Sequence, residues 1–293
     1  MPRSGFVALA GRPNVGKSTL VNRIVGEKVA IVSNRPQTTR RAIRGIASGD
    51  DWQLVLVDLP GVQRPRDQLT ARMQRRMEQE VGDADVALLL LAGDQGVGPG
   101  DRFIVDAIRR ADVPAVTAVN KVDVLSRAQT LAALEKAAAL DLPGEVFPIS
   151  ARTGSGVAEL REALVALLPE GPFLYPAEDH TDLGERTRLA ELIREQVLAR
   201  TRDEIPHAVE IEIDELDERD DGLLVVHANI WAETESQKRI LIGAGGSMVR
   251  AVGTAARAEI EAVTGRQAHL DLRVKVRRGW RADEALLDRL GLE

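Results

Sequence analysis

The chain of 293 residues contains no cysteine. That excludes disulfides, thiol nucleophiles and cysteine-ligated zinc. Histidine is scarce, four scattered residues in all, so a histidine-built metal centre is not expected. Long apolar runs are missing too. The longest, 86–92, falls far short of the roughly 20 residues a membrane helix needs, and it reads as a buried parallel strand. There is no excess of positive charge: 39 Lys+Arg stand against 45 Asp+Glu, a net charge of −6. The deficit lies in residues 181–293, with 17 basic and 23 acidic side chains, while 1–180 is balanced at 22 of each. Bulk charge therefore does not describe a basic nucleic-acid protein, and RNA binding would have to come from a local patch. The start, Met1-Pro2-Arg3-Ser4, runs straight into strand-like sequence. With the absence of cysteine, this sets the expectation of a cytoplasmic protein without a signal peptide.

What is present has globular composition: 44% apolar and 29% charged. The length suits two domains. Apolar strand-like runs at 6–10, 42–46, 54–57, 86–91, 115–119 and 146–149 alternate with helical patterns at 17–25, 69–81, 101–110, 128–140 and 157–168. Such alternation predicts an α/β domain with a mostly parallel six-stranded sheet covered on both faces. Only Gly49-Asp50-Asp51 separates the second and third strands, so a hairpin adds one antiparallel strand. Pro169, Pro172 and Pro176 then mark a stiff linker. The expected division is a nucleotide domain over 1–169, a linker over 170–182 and a smaller α+β domain over 183–293. The second domain reads helix (183–199), strand, strand, helix, helix, strand. Val209, Ile211 and Ile213 alternate with acids in its first strand, and Leu270, Leu272, Val274 and Val276 form one face of its last.

Gly11-Arg12-Pro13-Asn14-Val15-Gly16-Lys17-Ser18, followed by Thr19, fits G-x-x-x-x-G-K-[ST] between a strand and a helix. Glycines let successive N–H groups curl toward phosphates, and the helix N-terminus adds positive charge. Lys17 would reach the β- and γ-phosphates, and Ser18 would ligate Mg²⁺. Asp58-Leu59-Pro60-Gly61 closes another apolar strand. Asp58 would hold Mg²⁺ through a water, and the Gly61 N–H would approach the γ-phosphate. Asn120-Lys121-Val122-Asp123 identifies the base. One carboxylate, Asp123, accepts both N1–H and the exocyclic amine of guanine, a pair that adenine lacks. Asn120 and Lys121 would buttress the site, and Ser150-Ala151-Arg152 would complete the pocket through a backbone N–H.

Together these motifs resemble the Era/TrmE group of translation-factor-like GTPases, with Pro36-Gln37-Thr38-Thr39-Arg40 as the first switch. The resemblance implies that Thr39 ligates Mg²⁺ only with GTP bound, although sequence leaves open which of Thr38 and Thr39 faces the metal. Val62 stands where Ras-like enzymes carry a water-orienting glutamine. Relatives with an asparagine in the phosphate loop use it to hold potassium. Asn14 at that place implies K⁺-stimulated hydrolysis, with 33–38 caging the ion and Arg40 or Arg41 as a rival source of charge. Catalysis is thus assigned to Asn14, Lys17, Thr39 and Gly61.

In the second domain Ile242-Gly243-Ala244-Gly245-Gly246-Ser247 resembles the G-x-x-G loop of a type II KH domain, which clamps single-stranded nucleotides. No Lys or Arg lies between the glycines. Positive charge comes instead from Lys238, Arg239, Arg250 and Arg257, and from Arg273, Lys275, Arg277, Arg278 and Arg281. The whole order, GTPase, linker, KH domain and Gly279-Trp280 tail, resembles the Era family. It implies a monomeric GTPase that uses GTP/GDP and Mg²⁺ and binds the 3′ end of 16S ribosomal RNA. It also implies a role in 30S subunit assembly and peripheral association with the inner membrane. Leu59 departs from the family's threonine, with a change of packing expected rather than of chemistry. A constitutive RNA-binding assembly factor with a mainly structural nucleotide is the alternative. A tRNA-modifying relative would need further cysteine-bearing regions, and a double-GTPase relative a second phosphate loop.

Overall fold

The computed structural model describes residues 1–33, 38–61, 68–202 and 205–290. It divides into two units, Met1–Asp182 and the chain from Leu183 on.

The first unit runs β1 (Arg3–Ala10), α1 (Lys17–Val25), β2 (Ile43–Ser48), β3 (Trp52–Asp58), α2 (Gln68–Asp83), β4 (Val86–Ala92), α3 (Pro99–Ala111), β5 (Ala115–Asn120), α4 (Arg127–Ala138), β6 (Val146–Pro148) and α5 (Val157–Leu167). The sheet order is β2-β3-β1-β4-β5-β6. Among these strands only the β2–β3 pair is antiparallel, as the short turn predicts. Every residue of β4 is buried, because helices cover both faces of a parallel sheet. One core layer gathers Leu20, Val21, Ile24, Leu160 and Leu164 from α1 and α5. The opposite layer gathers Met77, Val81, Ile104 and Ile108 from α2 and α3. Leu59 is wholly buried in that second layer, and each such leucine contributes roughly 1.5–3 kcal/mol. Chain order reverses at β1, which lies between β3 and β4. In open α/β sheets, ligands bind in the crevice at the carboxyl ends of strands at such a point.

The proline-rich segment expected as a linker is tied to this unit. Gln53 is fully buried in β3. Its amide oxygen accepts from the N–H groups of Leu174 (2.7 Å) and Tyr175 (2.9 Å), and its nitrogen donates to the Tyr175 carbonyl (2.9 Å). The Ile46 N–H donates to the His180 carbonyl at 2.9 Å, and Arg44 pairs with Asp182 at 2.9 Å. Proline spacing marks stiffness but cannot show that an edge strand offers unused backbone groups for the segment to satisfy.

The second unit comprises α6 (Glu185–Arg200), α7 (Ile205–Ala208), β7 (Glu210–Glu218), β8 (Leu224–Ala232), α8 (Glu235–Ile242), α9 (Ser247–Thr264), β9 (Ala268–Val276) and α10 (Glu284–Arg289). Its sheet is β7-β8-β9, antiparallel then parallel. Leu192, Ile193 and Val197 of α6, Val252, Ala256 and Ile260 of α9, and Val226, Ala228 and Ile230 of β8 form the core. Periodicity missed three features. Glu210 is fully buried although it occupies the polar phase of its strand. Arg194, 1% exposed, bonds Glu191 at 2.5 Å inside α6. Trp280, read as part of a tail, is wholly buried and donates its Nε1–H to the Ala208 carbonyl at 3.0 Å.

Candidate nucleotide site and nucleic-acid interface

The nucleotide motifs converge at the carboxyl ends of β1, β3, β5 and β6. A cavity of about 510 Å³ there is lined by Pro13, Asn14, Gly16, Lys17, Ser18, Thr19, Thr39, Gly61, Asn120, Lys121, Asp123, Ala151 and Arg152. Val32, Ser33, Thr38, Asp94 and Val124 complete the wall. Val32, Asp94 and Val124 escape the sequence reading, although Asp94 follows β4 just as the other site loops follow their strands.

The phosphate loop is held in shape by its own carbonyls. Lys17 is 6% exposed, and its Nζ donates to the carbonyls of Gly11 (3.0 Å) and Arg12 (3.1 Å). Burial pushes its ammonium down to about 8, against the opposing pull of Asp58. Gly16 stands at φ +101°, where a Cβ would lie 2.3 Å from Asn120 Nδ2. Asn14 takes a left-handed φ of 63° without being glycine, a conformation that costs on the order of 1 kcal/mol.

Ser18 donates to Asp58 at 2.6 Å, Thr39 donates to the same carboxylate oxygen at 3.1 Å, and the two hydroxyls lie 3.1 Å apart. Two hydroxyls on one wholly buried carboxylate are hard oxygen donors. They fit Mg²⁺, which takes one or two carboxylates and completes its shell from phosphate and water. Of the two threonines, Thr39 joins this cluster and Thr38 lines the cavity. Arg40 and Arg41 are buried, at 3% and 9% exposure, and do not line the cavity.

At the base end, Asn120 staples two loops: its Nδ2 donates to the Val15 carbonyl at 2.7 Å, and its Oδ1 accepts from the Ala151 N–H at 2.9 Å. Ser150 donates to Asp123 at 2.7 Å, and Arg152 also bonds that carboxylate. The Ser150 bond, aided by Arg152 and partly offset by desolvation, holds the Asp123 carboxyl below its ordinary range. Asp123 therefore stays ionised as the double acceptor that guanine requires.

Gly11, Val15, Asp58, Leu59, Pro60 and Ser150 lie behind the wall rather than in it. Arg12 of the phosphate loop is also absent from the wall. Its side chain turns to Asp101 and to the Gly96 carbonyl, which accept from its Nε and Nη2. Pro36, Gln37 and Val62 lie outside the described residues.

In the second unit, α8 ends at Ile242 and α9 begins at Ser247. Gly243, Gly245 and Gly246 between them all have positive φ. A Cβ on Gly243 would lie 2.8 Å from the Met248 backbone nitrogen, whereas one on Gly245 or Gly246 would meet nothing within 4 Å. Ala244, Gly245, Ser247 and Arg250 are exposed, and Arg250 donates to the Gly245 carbonyl at 2.6 Å. Arg239 and Arg278 are exposed and Lys238 is half-buried. Lys275 and Arg277 each lie 5.8 Å from the Trp231 ring centre. Arg277 also pairs with Asp283 at 2.7 Å, so this expected RNA contact is partly committed to its own unit.

A phosphate loop, an ionised aspartate at the far end of the same cavity and a separate KH unit are the marks of a GTPase joined to a KH module. The family model described as 50S ribosome-binding GTPase matches residues 6–121, and the KH domain model matches 204–281. GTPase Era of Mycobacterium bovis (strain BCG / Pasteur 1173P2) is 47% identical over 98% of both chains. Two solved Era structures superpose with a TM-score of 0.95 at 33% identity. One is a point variant of Aquifex aeolicus Era bound to GDP.AlF4-, covering 99% of each chain. The other is Era with MgGDPNP and nucleotides 1506–1542 of 16S ribosomal RNA, covering 100% of this chain and 99% of that one. The chain belongs to the Era family of GTPases and hydrolyses GTP.

Proposed function

We propose that this chain is a GTP-operated switch that binds 16S ribosomal RNA near its 3′ end through the KH unit and assists assembly of the 30S subunit. The observation that carries it is the shared carboxylate of Asp58, which gathers Ser18 and Thr39 at one end of a cavity whose other end holds Asp123. A loop that joins the metal cluster through Thr39 can order with the γ-phosphate and release on hydrolysis. The solved Era complex with MgGDPNP and 16S nucleotides supports the pairing of nucleotide and RNA. Ser18, Thr39 and Asp58 would hold Mg²⁺, which neutralises developing phosphate charge when bound. Lys17 and the loop N–H groups orient the phosphates, and Asp123 selects guanine. Ile242 to Ser247, with Arg250, Lys238, Arg239, Lys275 and Arg278, form the RNA face.

Asn14 is assigned to a potassium site that promotes hydrolysis, supported by its place in the cavity wall with Ser33 and Thr38. Hydrolysis rates in equimolar potassium and sodium test this, and equal rates would remove it. The same reading holds the chain to be a cytoplasmic monomer with peripheral association to the membrane's inner face, supported by family membership. Among the described residues, no helix is long and apolar enough to cross a membrane. Titrating the full chain with an RNA of 16S nucleotides 1506–1542 tests the central assignment. Saturable binding that a scrambled RNA does not match is expected, and equal binding of the two would sink it.

A further inference from the structure

The loop between β4 and α3 makes contacts that no motif explains. Arg12 lies across the start of α3. Its Nε reaches the two Asp101 oxygens at 2.8 and 2.9 Å, and its Nη2 donates to the Gly96 carbonyl at 2.7 Å. Its stem passes over Gly100, where a Cβ would lie 3.1 Å from Arg12 Cδ. Asp101 is fully buried and also accepts the Gly98 N–H at 2.8 Å. It stands in the first turn of α3, where the helix end favours negative charge. Toward the other end of the same loop, Asp94 lines the cavity and pairs with Lys121 at 3.2 Å. Lys121 has a left-handed φ of 67°, and such strain persists where neighbours over-determine it. Just before Asp94, the Gly93 N–H donates to the Asn120 carbonyl at 2.9 Å.

The geometry points to the β4–α3 loop as a clasp that fixes the spacing between the phosphate loop and the guanine loop, with Arg12, Asp101 and Asp94 as positioning residues. A nucleotide must engage both loops at once, and small displacements of positioned groups cost large factors. Asn120, in the guanine loop, links it to the phosphate loop directly through its bond to the Val15 carbonyl, and the clasp joins the two a second time by a separate route. Its two ends differ in strength. Breaking the Arg12–Asp101 pair leaves the fully buried Asp101 carboxylate without its cation and is costly, whereas the Asp94–Lys121 pair, partly exposed on both sides, acts mainly by orienting Lys121 beside Asp123.

This inference rests on the guanine-nucleotide reading, and its test separates the two. Affinities for GDP, GMP and inosine diphosphate, which lacks the exocyclic amine, are measured on the full chain by competition with fluorescent GDP. Asp101→Asn is expected to lower the GDP-to-GMP ratio about tenfold and leave the GDP-to-inosine-diphosphate ratio in place. Asp94→Asn is expected to lower the second ratio by roughly threefold and leave the first. Arg12→Lys, which keeps the ion pair, should retain more GDP affinity than Arg12→Ala. Equal losses for all three nucleotides, or unchanged affinities in Asp101→Asn, would overturn the clasp. If the unaltered chain bound no guanine nucleotide, the guanine reading would fail and the clasp with it.

Discussion

Two glycine-bearing loops in this chain each precede a helix, yet they sit in opposite surroundings. The phosphate loop, 11–16, is enclosed: Gly11 would press a Cβ against the Leu90 carbonyl at 2.6 Å, and Gly16 against Asn120 at 2.3 Å. Its carbonyls are taken by Lys17 and Asn120. The KH loop, 243–246, is open, and only Gly243 is constrained by close backbone. The first loop lies along the wall of a cavity, the surroundings that a small, highly charged ligand would need. The second leaves its backbone open at Gly245 and Gly246, the access that a long polymer lying along it would need. The same residue type therefore serves enclosure in one place and access in the other.

The comparison can be broken by filling the glycines. The largest effect is expected from Gly16→Val, where positive φ and the Asn120 contact both oppose a side chain. GDP affinity should fall by more than about 100-fold, read by calorimetry. Gly243→Val comes next. Its φ of 73° and the Met248 nitrogen should cost roughly 1–3 kcal/mol of stability, read as a lower unfolding midpoint together with weaker RNA binding and unchanged GDP affinity. A valine at 243 without effect on either would remove the claim that this glycine is structurally required.

The next test uses pH. Lys17 lies at about 8 in the free protein against the ordinary 10.5. Between those values the unfolded chain binds more protons than the folded one, so this group makes stability rise with pH across that window. Nucleotide phosphates require the charged ammonium. GDP affinity should therefore be level below about pH 8 and fall by up to roughly tenfold per unit above it, with proton uptake on binding. The smallest effect sharpens the open loop. Ala244 is exposed, and Ala244→Lys adds one phosphate contact. RNA affinity should rise several-fold at low salt, and the slope of log affinity against log salt should steepen by about 0.7.

The phosphate and guanine loops were legible because their chemistry dictates residue types at fixed spacing. Lys17, Ser18 and Asp123 line one cavity, and Asp58 bonds Ser18 at its edge. The sheet and its one antiparallel strand followed from apolar runs and the short turn at 49–51. Long-range polar partners were not legible. Nothing local to Arg12 indicates Asp101, 89 residues away, nor does proline spacing reveal that buried Gln53 captures Leu174 and Tyr175. Periodicity likewise treats Glu210 and Arg194 as surface residues, since burial of charge depends on partners that only folding assembles. The KH loop was legible through element order more than through its glycines, whose freedom at Gly245 and Gly246 leaves little local signature.

The central claim is that nucleotide state governs RNA binding. The most direct measurement is the affinity of the full chain for the 1506–1542 fragment of 16S ribosomal RNA with GDPNP and with GDP, at one fixed salt concentration. Tighter binding with GDPNP is the result expected of a GTP-operated clamp. Equal affinity in the two states would contradict it and leave a constitutive RNA-binding factor whose nucleotide serves the fold.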